Sequence, residues 1–210
     1  MRLAGGSRGR MTLASPRGSK TRPTGAKVRE AMFAILAQRV EGARVLDLFA
    51  GSGALGLEAI SRGAASVVFV DNDANAVMII RRNAVRVVPD GDRWRIMPMR
   101  AMRALRTLRG SFDIAFIDPP YDRGALDELR LMMQKSLLSQ DGIAVIEHAS
   151  TAKPELPDSL EVVKRAKYGD TSLTFAVARR GKGVAADGEA RSATARAPRE
   201  RKRASRGSRA

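Results

Sequence analysis

Two short clusters carry most of the chemistry this sequence could do. Residues 51–56 read Gly-Ser-Gly-Ala-Leu-Gly, a GxGxxG spacing that follows an apolar run and opens a helical pattern. Glycines at such a turn let backbone N–H groups approach a ligand closely. Asp71 lies at the end of the next apolar run, 20 residues after Gly51, where a carboxylate can accept both hydroxyls of a ribose. The second cluster is Asp118-Pro119-Pro120-Tyr121. It suits an exocyclic amine on a planar base, whose lone pair is delocalised into the ring and is a poor nucleophile. An Asp carboxylate and a proline carbonyl accept the amine's N–H bonds and favour the pyramidal nitrogen that attack requires. The prolines fix the turn and supply a carbonyl without a ladder role, and Tyr121 can stack on the base.

Taken alone, the glycine loop suggests a dinucleotide and a nicotinamide-dependent oxidoreductase. Asp47, inside the first apolar run, and the Pro-Pro tetrapeptide are explained by neither, and no proton donor stands at the strand ends. S-adenosylmethionine has no phosphate but carries an ammonium group that a carboxylate near the loop would help to hold. Transfer of its methyl group asks mainly that nitrogen, methyl carbon and sulfur be held in line. Such orientation is worth roughly 7–11 kcal/mol, so Asp118 need not be a strong base.

These residues need a scaffold that gathers them. Val28, Ala31, Met32, Ile35 and Leu36 recur at helical spacing, with Thr24 as N-cap and Gly42 beyond the end. Strands are expected at 45–49, 67–70, 94–97, 112–117 and 143–147, with helices over 54–62, 74–87, 101–108 and 125–138. Asp73 suits the N-cap of the helix expected at 74–87. Two closing strands, 160–167 and 172–178, flank the turn Tyr168-Gly-Asp-Thr. The alternation implies an α/β fold, a Rossmann-like sheet that is mostly parallel with an antiparallel last strand. Ligands in such sheets bind beyond the carboxyl ends of the strands, near the switch in strand order. The chemistry should therefore sit at 47–53, 71–73, 98–102 and 118–121.

The paired motifs resemble those of class I S-adenosylmethionine-dependent methyltransferases. Arg2-Leu-Ala-Gly-Gly-Ser-Arg-Gly-Arg10, Thr21-Arg-Pro-Thr24 and Val28-Arg-Glu30 narrow the resemblance to the RsmD family, bacterial 16S rRNA guanine-N2 methyltransferases. It runs from about residue 2 to 178. It implies an S-adenosylmethionine site with contacts from Asp47, Phe49, Gly51, Gly53 and Asp71, and Asn72 beside the adenine. Relatives usually carry a small polar or acidic residue after the third strand. Here the sequence is Met99-Arg100-Ala101-Met102. Arginine cannot accept from the adenine amine, so that base is expected to rest on backbone groups at Ala101 and on methionine packing. The target implied is 16S rRNA of the small ribosomal subunit, and the catalytic residues are Asp118, Pro119, Pro120 and Tyr121. The tetrapeptide also fits N6-adenine methylation of DNA, the alternative within enzymes. A silent RNA-binding module is a third reading.

Charge separates the chain into three parts. It has 38 Lys+Arg and 22 Asp+Glu in 210 residues. Residues 1–29 hold eight basic residues and no acid, and residues 179–210 hold eleven basic and three acidic, so each end is +8. The stretch between has 38−8−11 = 19 basic and 22−0−3 = 19 acidic residues, a neutral core of one-domain size. The expected organisation is an RNA-facing hairpin or loop at 1–23, a methyltransferase domain at 24–178 and a disordered basic tail at 179–210. Arg8, Arg10, Arg17, Lys20 and Arg22 are expected to hold RNA phosphates, which position without reading sequence. Zero cysteines and one histidine, His148, exclude thiolate and multi-imidazole metal sites, and no metal is expected. His148 reads as a hydrogen-bonded structural residue and Trp94 as edge packing. No apolar run reaches a membrane span of about 20 residues, and the amino end lacks a signal peptide's apolar core. A cytoplasmic monomer is expected, with no membrane partner.

Overall fold

A computed structural model describes residues 1–15, 25–89, 91–120 and 124–179. Seven strands form one sheet in the order β3-β2-β1-β4-β5-β7-β6. They are β1 Arg44–Leu48, β2 Ser66–Asp71, β3 Trp94–Pro98, β4 Phe112–Ile117, β5 Leu138–Ala149, β6 Leu160–Tyr168 and β7 Thr171–Ala178. The first five run parallel. β7 is antiparallel to both β5 and β6, so the last strand in sequence lies inside the penultimate one. The helices are α1 Ala26–Leu36, α2 Ala54–Ser61, α3 Ala74–Val87, α4 Ala101–Thr107 and α5 Leu126–Gln134.

Each face of the sheet has its own core, as a parallel sheet covered by helices requires. Val45, Phe69, Phe116, Val145 and Phe175 pack with Phe33 and Leu36 of α1 and with Leu57 and Ile80 of α2 and α3. The alternate residues Leu46, Leu48, Ile117 and Ile146 pack with Leu105 of α4 and Leu129 of α5. Phe33 meets Phe116 edge-on, ring centres 5.7 Å apart.

The amino-terminal arm belongs to the first core. Leu3 and Leu13 are each 2% exposed, and burying a leucine contributes roughly 1.5–3 kcal/mol. A bridge between Arg2 and Thr12 closes the arm on itself. Glu58, fully buried, accepts the Ala4 and Gly5 amides at 2.7 Å each and the Arg62 Nε–H at 2.8 Å. Ser61 accepts the Arg8 amide at 3.0 Å and donates its hydroxyl to the Gly5 carbonyl at 2.7 Å.

Most expected elements are found within a residue or two. The helix expected over 125–138 stops at Gln134, and β5 begins at Leu138, not 143. Ser136 adopts a left-handed φ of 51° there, and Leu137 donates to the Met132 carbonyl at 2.9 Å. This turn lets Leu138 pair with Phe112 ahead of a register shift. α1 is capped by Gly25 without a side-chain bond; Thr24 lies outside the described residues. Arg179 donates its amide to the Ser159 carbonyl at 2.7 Å, so it closes the sheet. The tail beyond it also lies outside the described residues. No helix among the described residues is long and apolar enough to cross a membrane.

Candidate active site

The strand order reverses between β1 and β4, and the candidate residues meet beyond the carboxyl ends there. After β1 the chain turns through Phe49, Gly51 and Gly53, all at positive φ (63°, 55° and 75°). Gly53 is the N-cap of α2. A methyl group at Gly51 would meet nothing within 4 Å, so the loop faces open space. At Gly56 it would lie 2.3 Å from Phe69 Cε1 and 2.7 Å from Val67 Cγ1. The first glycine thus leaves its face of the loop open, and the third allows contact between α2 and β2.

Asp71 ties this loop to β2. Its Oδ2 accepts the Gly51 amide at 2.8 Å and its Oδ1 accepts the Asp73 amide at 2.9 Å. A carboxylate has about four acceptor sites, so two bonds leave capacity for ribose hydroxyls. Asn72 is exposed beside it. Asp73 caps α3 through the Asn75 amide at 3.0 Å, as its position in the sequence suggests. Ala101 opens α4 and is buried, and Arg100 makes no side-chain cap there. First-turn amides have no intrahelical carbonyl to serve, which suits backbone contacts to an adenine. The donor set and the open space before Gly51 fit an adenosyl ligand.

Asp47 is 2% exposed and accepts the Gly56 amide at 2.9 Å. Burial pushes its carboxyl up to about 8, against the Gly56 N–H and with help from the Asp71 charge. Asp47 therefore braces α2 on β1.

Asp118 leaves the end of β4, followed by buried Pro119 and exposed Pro120. Burial raises its carboxyl well above the usual range, and the nearby Glu147 and Asp47 charges add to this. Strand alternation puts Asp47, Asp118 and Glu147 on the α2 side of three adjacent strands. On the α5 side, a cavity of about 310 Å³ is lined by Pro119, Pro120, Leu129, His148 and Lys153 among others. His148 places Nε2 2.9 Å from the Thr174 hydroxyl and Nδ1 2.9 Å from the Ala149 carbonyl, a structural arrangement. Trp94 donates to the Val88 carbonyl at 3.2 Å on edge strand β3.

The basic candidates divide. Arg8 and Arg10 are exposed, but Arg8 is fixed to Ser61, the last residue of α2. The glycine loop lies at the other end of that helix, about 12 Å away at 1.5 Å per residue. Tyr121, Arg17, Lys20 and Arg22 lie outside the described residues. Asn83, Glu58 and Ser61, which tie the arm down, were not singled out by sequence. Asn83 carries a usable signal, since it interrupts the apolar stripe Ile80, Ala84, Val87.

The sheet order, the glycine loop on β1 and the acid on β2 define a Rossmann-like class I methyltransferase. In keeping with this, the solved yhhF structure from Escherichia coli, provisionally titled a methyltransferase, superposes with a TM-score of 0.76 at 30% identity. It covers 85% of this chain and 97% of that one. Residues 1–177 match the family described as Conserved hypothetical protein 95. YlbH of Bacillus subtilis, named provisionally as an rRNA methyltransferase, is 34% identical over 179 residues, 83% of this chain and 97% of its own length. Ribosomal RNA small subunit methyltransferase D of Escherichia coli K12 is 36% identical over 149 residues, 70% of this chain and 74% of its own. The chain belongs to the RsmD methyltransferase family.

Proposed function

We propose that this protein methylates the exocyclic N2 amine of a guanine in 16S rRNA, using S-adenosylmethionine. The observation that carries the reading is adjacency. The glycine loop and Asp71 close β1 and β2, and Asp118-Pro119-Pro120 closes β4, the strand paired with β1 on its other side. A methyl donor and an acceptor amine would thus be held on neighbouring strands. S-adenosylmethionine, when bound, supplies an electrophilic methyl group.

Asp71 would accept the ribose hydroxyls, with Gly51 and Gly53 giving the loop its close approach. Phe49, Asn72 and Ala101 would border the rest of the cofactor, and Asp47 would hold α2 in register behind the loop. Asp118 and the Pro119 carbonyl would accept the two N–H bonds of the target amine. In its ionised form Asp118, made more basic by burial, is also a competent acceptor for the proton released after transfer. Tyr121 would stack on the base, which must leave its own stack to enter. Arg8 and Arg10, with Arg17, Lys20 and Arg22, would hold phosphates away from the reacting atoms. The names of the relatives support rRNA as the substrate class. The protein would act as a cytoplasmic monomer.

The test is nucleoside mass analysis after incubation with labelled cofactor. Small ribosomal subunits from a strain lacking the enzyme are compared with naked 16S rRNA. N2-methylguanine is expected, and N6-methyladenine as the product would overturn the reading in favour of the adenine alternative.

A further inference from the structure

Asn83 sits on α3 with no exposed surface. Its Oδ1 accepts the Ala14 amide at 2.8 Å. Its Nδ2 donates to the Ala14 carbonyl at 3.0 Å and to the Ser52 carbonyl at 3.0 Å. One acceptor and two donors on a planar group are what an amide offers, and all three are used. A carboxylate in its place would face two carbonyl oxygens, and an aliphatic chain would leave buried backbone groups unpaired. The two ends of the link lie in different functional parts. Ser52 stands between Gly51 and Gly53 of the glycine loop. Ala14 is in the arm, three positions before Arg17. The arm's bonds to Glu58 and Ser61 reach only the body and far end of α2.

We propose that Asn83 is a positioning residue that joins the arm and the glycine loop into one unit. Cofactor at the loop and RNA at the arm then tighten each other's binding. The proposal rests on the reading of the loop as the cofactor site and of the arm as RNA-facing. A ligand that orders the loop fixes the Ser52 carbonyl, which fixes the Asn83 amide plane and therefore the Ala14 peptide. Lifting the arm undoes two of the three bonds and frees the amide to rotate away from the loop. Such coupling is reciprocal by thermodynamic necessity.

The experiment uses the full chain, S-adenosylhomocysteine as an unreactive ligand and a 16S rRNA transcript. In the parent protein, saturating S-adenosylhomocysteine should tighten RNA binding at least about 5-fold, the lower end of ordinary allosteric coupling. In Asn83→Ala the ratio should fall to near one while each ligand alone still binds. Ala14→Pro removes the arm's donor but spares the Asn83–Ser52 bond, and should act in the same way. A ratio unchanged in both variants, or a ratio of one in the parent with both ligands bound, would overturn the proposal. Failure of the parent to bind either ligand would instead bring down the functional reading beneath it. Amide exchange in the parent covers the case of a variant that does not fold. S-adenosylhomocysteine should slow exchange at Ala14, and a rate indifferent to the ligand would also overturn the proposal.

Discussion

Asp118 and Glu147 stand side by side at the carboxyl ends of β4 and β5, one residue beyond the registered pair Ile117 and Ile146. Glu147 is 3% exposed, and its charge helps hold the Asp118 carboxyl above the usual range, after burial itself. Adjacent strands are about 4.8 Å apart, so the two groups repel when both are ionised. If Asp118 must be ionised to accept from the amine, activity rises with pH through its raised pKa. Glu147→Gln removes one of the charges that raise it. The acid limb of the kcat/KM profile should then move to lower pH. A profile unchanged in Glu147→Gln would deny that Asp118 titrates in catalysis.

Asp47 yields a stability prediction with a definite sign. Its folded pKa of about 8 lies above the ordinary carboxyl value of about 3.9, so folding favours the neutral form. That contribution is fully present below about pH 4 and is lost as pH rises through about 8. Asn keeps an oxygen for the Gly56 amide and cannot ionise. Asp47→Asn should therefore show a flatter fall in Tm between pH 5 and 9 than the parent, with the gap widest at the alkaline end. Parallel curves would mean that the buried carboxyl is not neutral.

The glycines of the loop should answer differently to the same substitution. Gly56→Ala drives a methyl group into Phe69 and Val67 at distances real side chains do not show. Phe69 and Val67 belong to the core, so they have little room to give. A loss of roughly 1–3 kcal/mol is expected in denaturant unfolding. Gly51→Ala meets no neighbour and carries only the strain of a left-handed φ, about 1–2 kcal/mol. Its larger effect should fall on S-adenosylhomocysteine affinity, read by calorimetry. The opposite ranking would mean that the loop's front, not its back, is packed.

The sheet, the Asp73 cap and the structural role of His148 were legible because their signals are local. Apolar runs alternate with helical stripes, and a cap lies within two residues of its donor. The start of β5 was not legible. Ser139, Gln140, Asp141 and Gly142 read as a loop, yet their backbone extends β5 down to Leu138, and the Ser139 hydroxyl reaches Asp113 Oδ1 at 3.1 Å. Nor did α5 carry a stop signal, because Ser136 takes a left-handed conformation usually left to glycine. The arm's incorporation was hidden for another reason. Ala4, Gly5 and Ala14 find partners 53 to 69 positions away, and no periodicity encodes that. At the site, the bond from the Gly56 amide to Asp47 behind the loop was not legible either, because the direction of Asp47 follows from strand parity and burial together.

The two basic ends make separable contributions to RNA binding. Each carries a charge of +8, but Arg8 and Arg10 sit on an arm whose backbone is fixed to α2. The tail, residues 180–210, lies outside the family match, which ends at residue 177. Counterion release makes log affinity fall linearly with log salt, with a slope of about 0.7 per phosphate contacted on single strands. Replacing Arg8 and Arg10 together by Ala should lower that slope by about 1.4 if each meets one phosphate. Because they lie about a helix length from the glycine loop, S-adenosylhomocysteine affinity in the absence of RNA should not change. Removal of residues 180–210 tests the tail on the same scale, and an unchanged slope would exclude it from RNA contact. If the tail deletion flattens the slope and the double substitution does not, the RNA path runs over the tail and not over the arm.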